Sequence, residues 1–219
     1  MAIILITGAN RGIGLELARL YRERGDDVIA VCRESSRELN ALGVEVIEGV
    51  DVTSKDSVTE LASAVQGRHI DRLVNNAGIL ERDSLETLDF AAMERQFRVN
   101  ALGPLRVTAA LRYKLAPGAG VFIITSRMGS IEDNTSGGYY GYRMSKAAVN
   151  MAARSLSVDL KDAGIGVFVL HPGMVATGMT SGQGIPPEES AAGLIERMDS
   201  LDLAQSGTFW HQEGYVLPW

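Results

Sequence analysis

Tyr142 and Lys146 stand four residues apart in Tyr142-Arg143-Met144-Ser145-Lys146, a spacing that puts two side chains on one face of a helix. A phenol titrates near pH 10 and exchanges protons poorly at neutrality unless its anion is favoured. An ammonium one helical turn away favours that anion by Coulomb attraction. The pair could therefore give a proton to a reacting oxygen or take one from it. Tyr139 and Tyr140 crowd the same stretch, but their partners four residues on are Arg143 and Met144, so Tyr142 alone faces a lysine. Upstream, Ser126 follows the apolar run Val121–Thr125, and its hydroxyl could hydrogen-bond the same oxygen. Taken alone, a serine there is an ordinary turn residue, and tyrosine and lysine at helical spacing often occur by chance.

A second constellation is suited to phosphate. An apolar run leads into Thr7-Gly8-Ala9-Asn10-Arg11-Gly12-Ile13-Gly14 and then into a helical pattern. Glycines let backbone N–H groups approach phosphate oxygens closely, and a helix N-terminus adds favourable dipole charge. The spacing is G-x-x-x-G-x-G rather than G-x-G-x-x-G. About 20 residues further on, a site selective for NAD usually has an acid for the ribose hydroxyls. Here Cys32 and Arg33 stand instead. A cation there favours the extra phosphate of NADP, and Arg11 inside the loop adds a second, although solvent-facing arginines are common. Asp51-Val52 and Asn75-Asn76-Ala77-Gly78 also fall at strand ends, where they are ordinary turn signals when read singly.

These residues need a scaffold. Strands are expected at Ile3–Thr7, Val28–Cys32, Val44–Ile47, Arg72–Asn75, Val121–Thr125, Gly166–Leu170 and Thr208–Trp210. Helical periods lie near Ile13–Arg24, Arg37–Leu42, Lys55–Val65, Phe90–Leu115, Tyr142–Asp162 and Glu188–Leu201. Thr53 and Asp56 are spaced as a capping box for the third helix. Several strands are apolar on successive residues, so both faces must be covered, as in a parallel sheet between helices. The alternation predicts one doubly wound α/β (Rossmann) domain over residues 1–219, with a seven-stranded, mainly parallel sheet and helices on both faces.

Bulk properties narrow the function. The 219 residues are 46% hydrophobic and 22% charged, with net charge -6, a balance that can bury a core. The acidic pI of about 5.2 argues against nucleic acid and an anionic membrane. No run approaches the roughly 20 apolar residues of a membrane span. The N-terminal run lacks a basic leader, so no signal peptide is read there. One cysteine, Cys32, suits a reducing compartment. The chain is read as cytoplasmic. His69, His211 and Cys32 lack metal-ligand spacing, so no metal is expected. His171 is read as structural, and Met128, Met174 and Met179 as packing or an adaptable apolar lining.

Together the motifs Thr7–Gly14, Asn75–Gly78, Asn100, Ser126, Tyr142–Lys146 and Pro172-Gly173 occur in the order of the short-chain dehydrogenase/reductase signature. The chain resembles that family from Ile3 to Trp219. Within the family it is most similar to the small C-factor and sniffer-type carbonyl reductases, through TGANRGIG, YRMSKAAVNM and GTFWHQEGYVLPW. The resemblance implies hydride transfer between NADP(H) and a small carbonyl or alcohol substrate. Tyr142 would be the general acid, and Ser126 would polarise the carbonyl. Lys146 would bind the nicotinamide ribose, and Asn100 would hold a water linking Lys146 to solvent. The cofactor would lie on Gly8, Asn10, Arg11, Gly12, Ile13, Gly14, Arg33, Asp51, Val52, Asn76, Ala77 and Gly78. Pro172, Gly173, Val175 and Thr177 would shape the nicotinamide pocket.

Two departures concern the substrate. Sixteen residues separate Ser126 from Tyr142, where about 13 is usual in the family, and the surplus falls in Ile131–Gly138. The Thr180–Pro187 segment is short for a lid, so an open pocket for medium-sized apolar carbonyl compounds is expected. A nucleotide-binding signalling protein of the C-factor type, with little or no turnover, is the alternative. Enoyl reduction is disfavoured, since the longer Tyr-to-Lys spacing it uses in this family is absent. The helices over 90–115 and 142–162 could pair two copies across a two-fold axis, as in many members of the family that the chain resembles, with a monomer as the alternative.

Overall fold

The structure, a computed structural model, describes residues 1–219. Seven strands form its one sheet: β1 (Ile3–Thr7), β2 (Asp27–Val31), β3 (Glu45–Ile47), β4 (Ile70–Asn75), β5 (Leu115–Ile124), β6 (Gly166–His171) and β7 (Phe209–His211). Their order is β3-β2-β1-β4-β5-β6-β7. Every pairing between neighbours is parallel, so the sheet is parallel throughout rather than mainly.

Successive strand residues point to opposite faces, and both faces are covered. Leu5, Ile29 and Val31 pack with Val58 and Leu61 of α3 (Lys55–Ala64), Val107 and Leu111 of α5 (Gly103–Leu111), and Val149 and Ala153 of α6 (Tyr140–Asp159). Ile4, Ile6, Val28 and Ala30 pack with Leu17 and Tyr21 of α1 (Gly12–Glu23), Leu39 of α2 (Arg37–Ala41), and Leu194 and Met198 of α7 (Pro187–Ser200). Each large aliphatic side chain buried this way is worth roughly 1.5–3 kcal/mol relative to exposure. This two-sided burial is why the strands read as continuous apolar runs. Connections leave β1 toward β2 and β3 on one side and toward β4 and β5 on the other. The order therefore switches between β1 and β4, and ligands of such sheets bind outside the carboxyl ends at that point.

Three expectations are corrected. The helix expected over Phe90–Leu115 is broken: α4 (Phe90–Phe97) passes through a wider π-turn, Arg98–Leu102, into α5, and Leu115 already belongs to β5. Pro104 has no N–H to offer the carbonyl of Asn100 four residues back, so the regular ladder fails there. β5 starts six residues before the expected Val121 because Ala116–Gly120 enters the sheet with a register irregularity against β4, as a strand containing proline and glycines tends to do. The cap of α3 is Ser54, whose side chain accepts from Ser57 N. Thr53 instead donates its hydroxyl to Asp51 Oδ1 at 2.8 Å.

Candidate active site

At the end of β1 the backbone makes a cradle. Gly8 N and Ala9 N both donate to Val31 O, at 2.8 and 3.3 Å. Gly8 and Gly12 hold φ of 68° and 54°, the left-handed region that only glycine enters freely. A Cβ on Gly14 would lie 2.3 Å from Gly8 O, so α1 starts pressed against the loop. The Asn76 amide donates to Thr7 O and Gly8 O, both at 3.0 Å, and Thr7 Oγ1 accepts from Asn76 N and Ala77 N. Asn76 and Ala77 are thus knitted to the cradle, and the Asn76 side chain is spent on its backbone. Asn10 donates to Glu34 O at 2.9 Å, tying the loop to the end of β2. Ile13 is half-buried against the α1 face of the core.

Beyond β2 lies an open groove of about 930 Å³, lined by Arg33, Ser35, Ser36, Arg37, Asn40 and Glu48 among others. Arg33, Arg37 and the exposed Arg11 belong to none of the ion pairs of the molecule. Gly49 N donates to Arg33 O and Val50 N to Cys32 O, which carries the chain on to Asp51 and Val52 beside the groove. Sequence reasoning named Arg33 but not Arg37 or Ser36. Ser36 caps α2 by accepting from Leu39 N, a signal the S-x-x-L spacing could not give.

The reactive groups converge at the ends of β4 and β5 and on α6. Ser126 follows β5, its hydroxyl accepts from Met128 N at 3.1 Å, and it lies close enough to the Tyr142 phenol to favour the phenolate. Tyr142 is buried, whereas Tyr140 is 37% exposed. Lys146 Nζ lies 5.7 Å from the centroid of the Tyr142 ring and donates to Ile124 O at 3.1 Å. A Cβ on Gly78 would stand 3.7 Å from Lys146 Nζ and 3.3 Å from Asn100 Oδ1, and one on Gly8 would stand 2.8 Å from Ala77 Cα. The cradle, the β4 loop and Lys146 are therefore immediate neighbours. Asn100, in the π-turn, accepts from Ile79 N and donates to Ile79 O and Ser145 Oγ. Both of its amide hydrogens are used, so its side chain clasps the β4 loop to α6 and has no donor left for a water. The first turn of α6 is capped from afar: Asp83 accepts from Tyr140 N and Gly141 N. Sequence reasoning missed Asp83, because a cap contributed from 57 residues away leaves no local pattern.

Burial pushes the Tyr142 phenol up to about 12, and the neighbouring Ser126 hydroxyl pulls the other way. Burial also brings Lys146 down to about 8. The expected lowering of Tyr142 by its lysine is thus not what the chain alone delivers. Withdrawal from water disfavours both charged forms, and the ammonium is turned toward Ile124 O. Lys146 nevertheless remains mostly protonated at pH 7.

After β6 the chain folds back on itself. Gly173 has φ 82°, and Ser190 at the start of α7 donates to Pro172 O at 2.7 Å. Val175 pairs with Ile185, and Ile185 N donates to Met174 O at 2.8 Å. The Thr180–Pro187 segment therefore runs alongside Met174–Ala176. Thr177 reaches the cradle, its Cγ2 3.2 Å from where a Cβ on Gly12 would be. Met174 and Met179 are exposed. His171 is largely buried in edge contact with His211, which stacks on Tyr215. The surplus residues before Tyr142 are pinned by Arg143, which donates to Gly138 O and Ser136 Oγ, and by the Arg127–Asp133 pair. No helix is long and apolar enough to cross a membrane.

A model of the short chain dehydrogenase family matches residues 2–185. The chain belongs to this family of oxidoreductases. It is 44% identical to the 1-hydroxy-2-glutathionyl-2-methyl-3-butene dehydrogenase of Rhodococcus sp. (strain AD45), with all of both chains covered. It is 46% identical over 154 residues to the C-signal protein of Myxococcus xanthus, covering 68% of this chain and 93% of that one. Among solved structures, the carbonyl reductase Sniffer of D. melanogaster matches at TM-score 0.93 and 29% identity over the whole of both chains. The NADPH-bound carbonyl reductase from chicken fatty liver matches at TM-score 0.89 and 28% identity, covering 100% of this chain and 98% of that one. The oxidoreductase fold, its parallel sheet and the likeness to C-factor and sniffer-type proteins agree with the sequence reading.

Proposed function

We propose that this oxidoreductase interconverts a carbonyl compound and an alcohol with NADP(H), Tyr142 moving the proton. The observation that carries the reading is the burial of Ser126, Tyr142 and Lys146 together, the lysine one helical turn from the tyrosine, beside the glycine cradle through Gly78 and Ala77. The cradle fits a dinucleotide, since a side chain at Gly8 or Gly14 would strike Ala77 or Gly8 O and open the tight strand-to-helix turn whose backbone N–H groups would meet phosphate. Gly8–Gly14 would hold the pyrophosphate. Arg11, Arg33 and Arg37 would meet the 2′-phosphate as unpaired cations. Asp51 and Val52 would border the adenine, and Pro172, Gly173, Val175 and Thr177 the nicotinamide. The NADPH-bound chicken relative supports the choice of cofactor. When bound, NADPH supplies the hydride.

The chain's own groups do the rest. Ser126 hydrogen-bonds the substrate oxygen and orients it toward Tyr142, whose O–H supplies the proton as negative charge grows there. A phenol held near 12 stays protonated at neutral pH, the state an acid in carbonyl reduction needs. Lys146 keeps a positive charge beside it and meets the ribose. Asn100 fixes the β4 loop against α6. The folded-back Thr180–Pro187 segment and exposed Met174 and Met179 support an open mouth for medium-sized apolar carbonyls. Association through α4–α5 and α6 is supported by the exposed Phe97 and Leu105 and by Met144, Met151 and Val158, which repeat every seven residues.

The decisive experiment follows NADPH absorbance over a panel of ketones, aldehydes and quinones, then compares three phenylalanine variants on one accepted ketone. Tyr142→Phe should lose about 100- to 10,000-fold in turnover with NADPH affinity retained, while Tyr139→Phe and Tyr140→Phe stay near wild type. Near-normal turnover in Tyr142→Phe would remove the mechanism. NADPH binding with no substrate in the panel would favour the signalling reading, to which the C-signal likeness points.

A further inference from the structure

The turn that carries Ser126 is held from two sides, and one of them lies beyond the residues that the family model matches. From α6, Asn150 accepts from Thr125 Oγ1 at 2.9 Å and donates to Gly129 O at 3.3 Å, bracketing Ser126. From the other side comes the segment after β7. It returns along that strand, with Leu217 N donating to Phe209 O at 2.7 Å. The Trp219 ring stacks on Phe209 with centroids 5.6 Å apart. The Trp219 main-chain oxygen accepts from Ser130 Oγ and from Glu132 N, each at 3.1 Å. Ser130 is 3% exposed, and its hydroxyl also accepts from Asp133 N at 3.1 Å. Inside the turn, Ser130 N donates to Arg127 O and Gly129 N to Ser126 O. A short chain of hydrogen bonds thus links Trp219 to Ser126.

We propose that Trp219 is a positioning residue for Ser126, fixing the turn against β7 so that the serine hydroxyl keeps its place beside Tyr142. The inference rests on the carbonyl-reductase reading, in which Ser126 orients the substrate oxygen. Misplacing such a group by a fraction of an ångström is enough to slow a reaction. Without the indole the Trp219 main-chain oxygen would lose the stack on Phe209 that anchors it to β7, leaving the Leu217–Phe209 bond to hold the tail. Of the other ties, the Arg143 bond to Met128 O is long at 3.4 Å, and the Arg127–Asp133 pair, whose arginine is mostly exposed, adds little. The hydrogen bonds and ring stack of Trp219 reach Ser130, Glu132 and Phe209 rather than the cradle, so cofactor binding should not depend on it.

Amide hydrogen exchange of the whole chain without substrate tests the clamp, and steady-state kinetics test its consequence. In Trp219→Ala, exchange at Met128–Asp133 should rise about tenfold while α6 and Gly8–Gly14 stay protected. Turnover should fall about tenfold with the NADPH dissociation constant unchanged. Trp219→Phe should restore both. Ser130→Ala should act in the same direction, and the double variant should be little worse than either single one, since both break one link. Wild-type exchange in the turn of Trp219→Ala, exchange that rises throughout the molecule, or fully multiplicative losses in the double variant would each overturn the proposal. A turn that loosens in Trp219→Ala, in a wild type that reduces no carbonyl, would remove the activity reading and leave the clamp standing.

Discussion

The cradle after β1 and the turn that carries Ser126 after β5 share one carboxyl edge of one sheet, yet they are made differently. The cradle is backbone. Its shape comes from three glycines within seven residues, two of them at positive φ, and from an Asn76 amide spent on the loop itself. The Ser126 turn is held largely by side chains. Asp83, Arg143 and Asn150 come from distant parts of the chain, and each bonds another segment through its side chain, while Trp219 stacks its ring on Phe209. A backbone site tolerates no side chain, whereas a side-chain site tolerates exchange at its edges. One fold can thus keep its cofactor site while its substrate changes.

The sharpest way to break this comparison is Gly14→Ala. The added methyl would stand 2.3 Å from Gly8 O and 2.5 Å from the Asn76 amide, and neither can yield without opening the loop. NADPH affinity should fall by about 100-fold or more, read by fluorescence titration, with helix content retained by circular dichroism. An alanine that binds NADPH normally would show that the cradle is not backbone-limited.

A smaller effect is expected where side chains meet the cofactor. Arg33→Asp should weaken NADPH binding about tenfold, near 1.4 kcal/mol, and leave NADH little changed, because only the 2′-phosphate gains from a cation there. Both cofactors must be titrated at one salt concentration, since exposed charges are screened. An unchanged NADPH preference would move the phosphate contact to Arg11 or Arg37. The test also probes the boundary between the two kinds of site, because the groove around Arg33 is side chains hung on a backbone frame.

The same division explains what was legible in the sequence. Thr7–Gly14 and Tyr142–Lys146 are local patterns fixed by turn sterics and helix periodicity, and both stood out before any fold was known. The parallel sheet was legible because two-sided burial writes consecutive apolar residues. The break at Arg98–Leu102 was not, since Phe90–Leu115 keeps a helical period through it and only Pro104 marks the fault. Asp83 capping α6 and Trp219 bonded to Ser130 were invisible, because contacts 57 and 89 residues apart leave no local trace. The Tyr142–Lys146 electrostatics were misjudged for a related reason. Spacing reports proximity but not burial, and burial dominates both groups.

The smallest effect concerns a histidine pair at the ends of β6 and β7 that the mechanism does not use. His171 is held down to about 3, chiefly by burial and then by its neighbour His211, with Arg127 and Lys146 acting in the same direction and Asp133 opposing. Its Nδ1 has no hydrogen-bond partner. In the unfolded chain a histidine titrates near 6.5. Between pH 6.5 and 3 the unfolded state therefore binds a proton that the folded state refuses, and stability falls as the pH falls through that window. His171→Phe keeps a ring against His211 and removes the titration. Urea midpoints measured at pH 7 and pH 5 should show a smaller acid loss in the variant than in the wild type. The loss should not vanish, because burial also lowers His211. Turnover at pH 7 should stay within about twofold, as His171 is neutral there and receives no proton in the proposed reaction. An equal acid loss in both proteins would mean that His171 takes up its proton without unfolding, and a large fall in turnover would place His171 in the reaction after all.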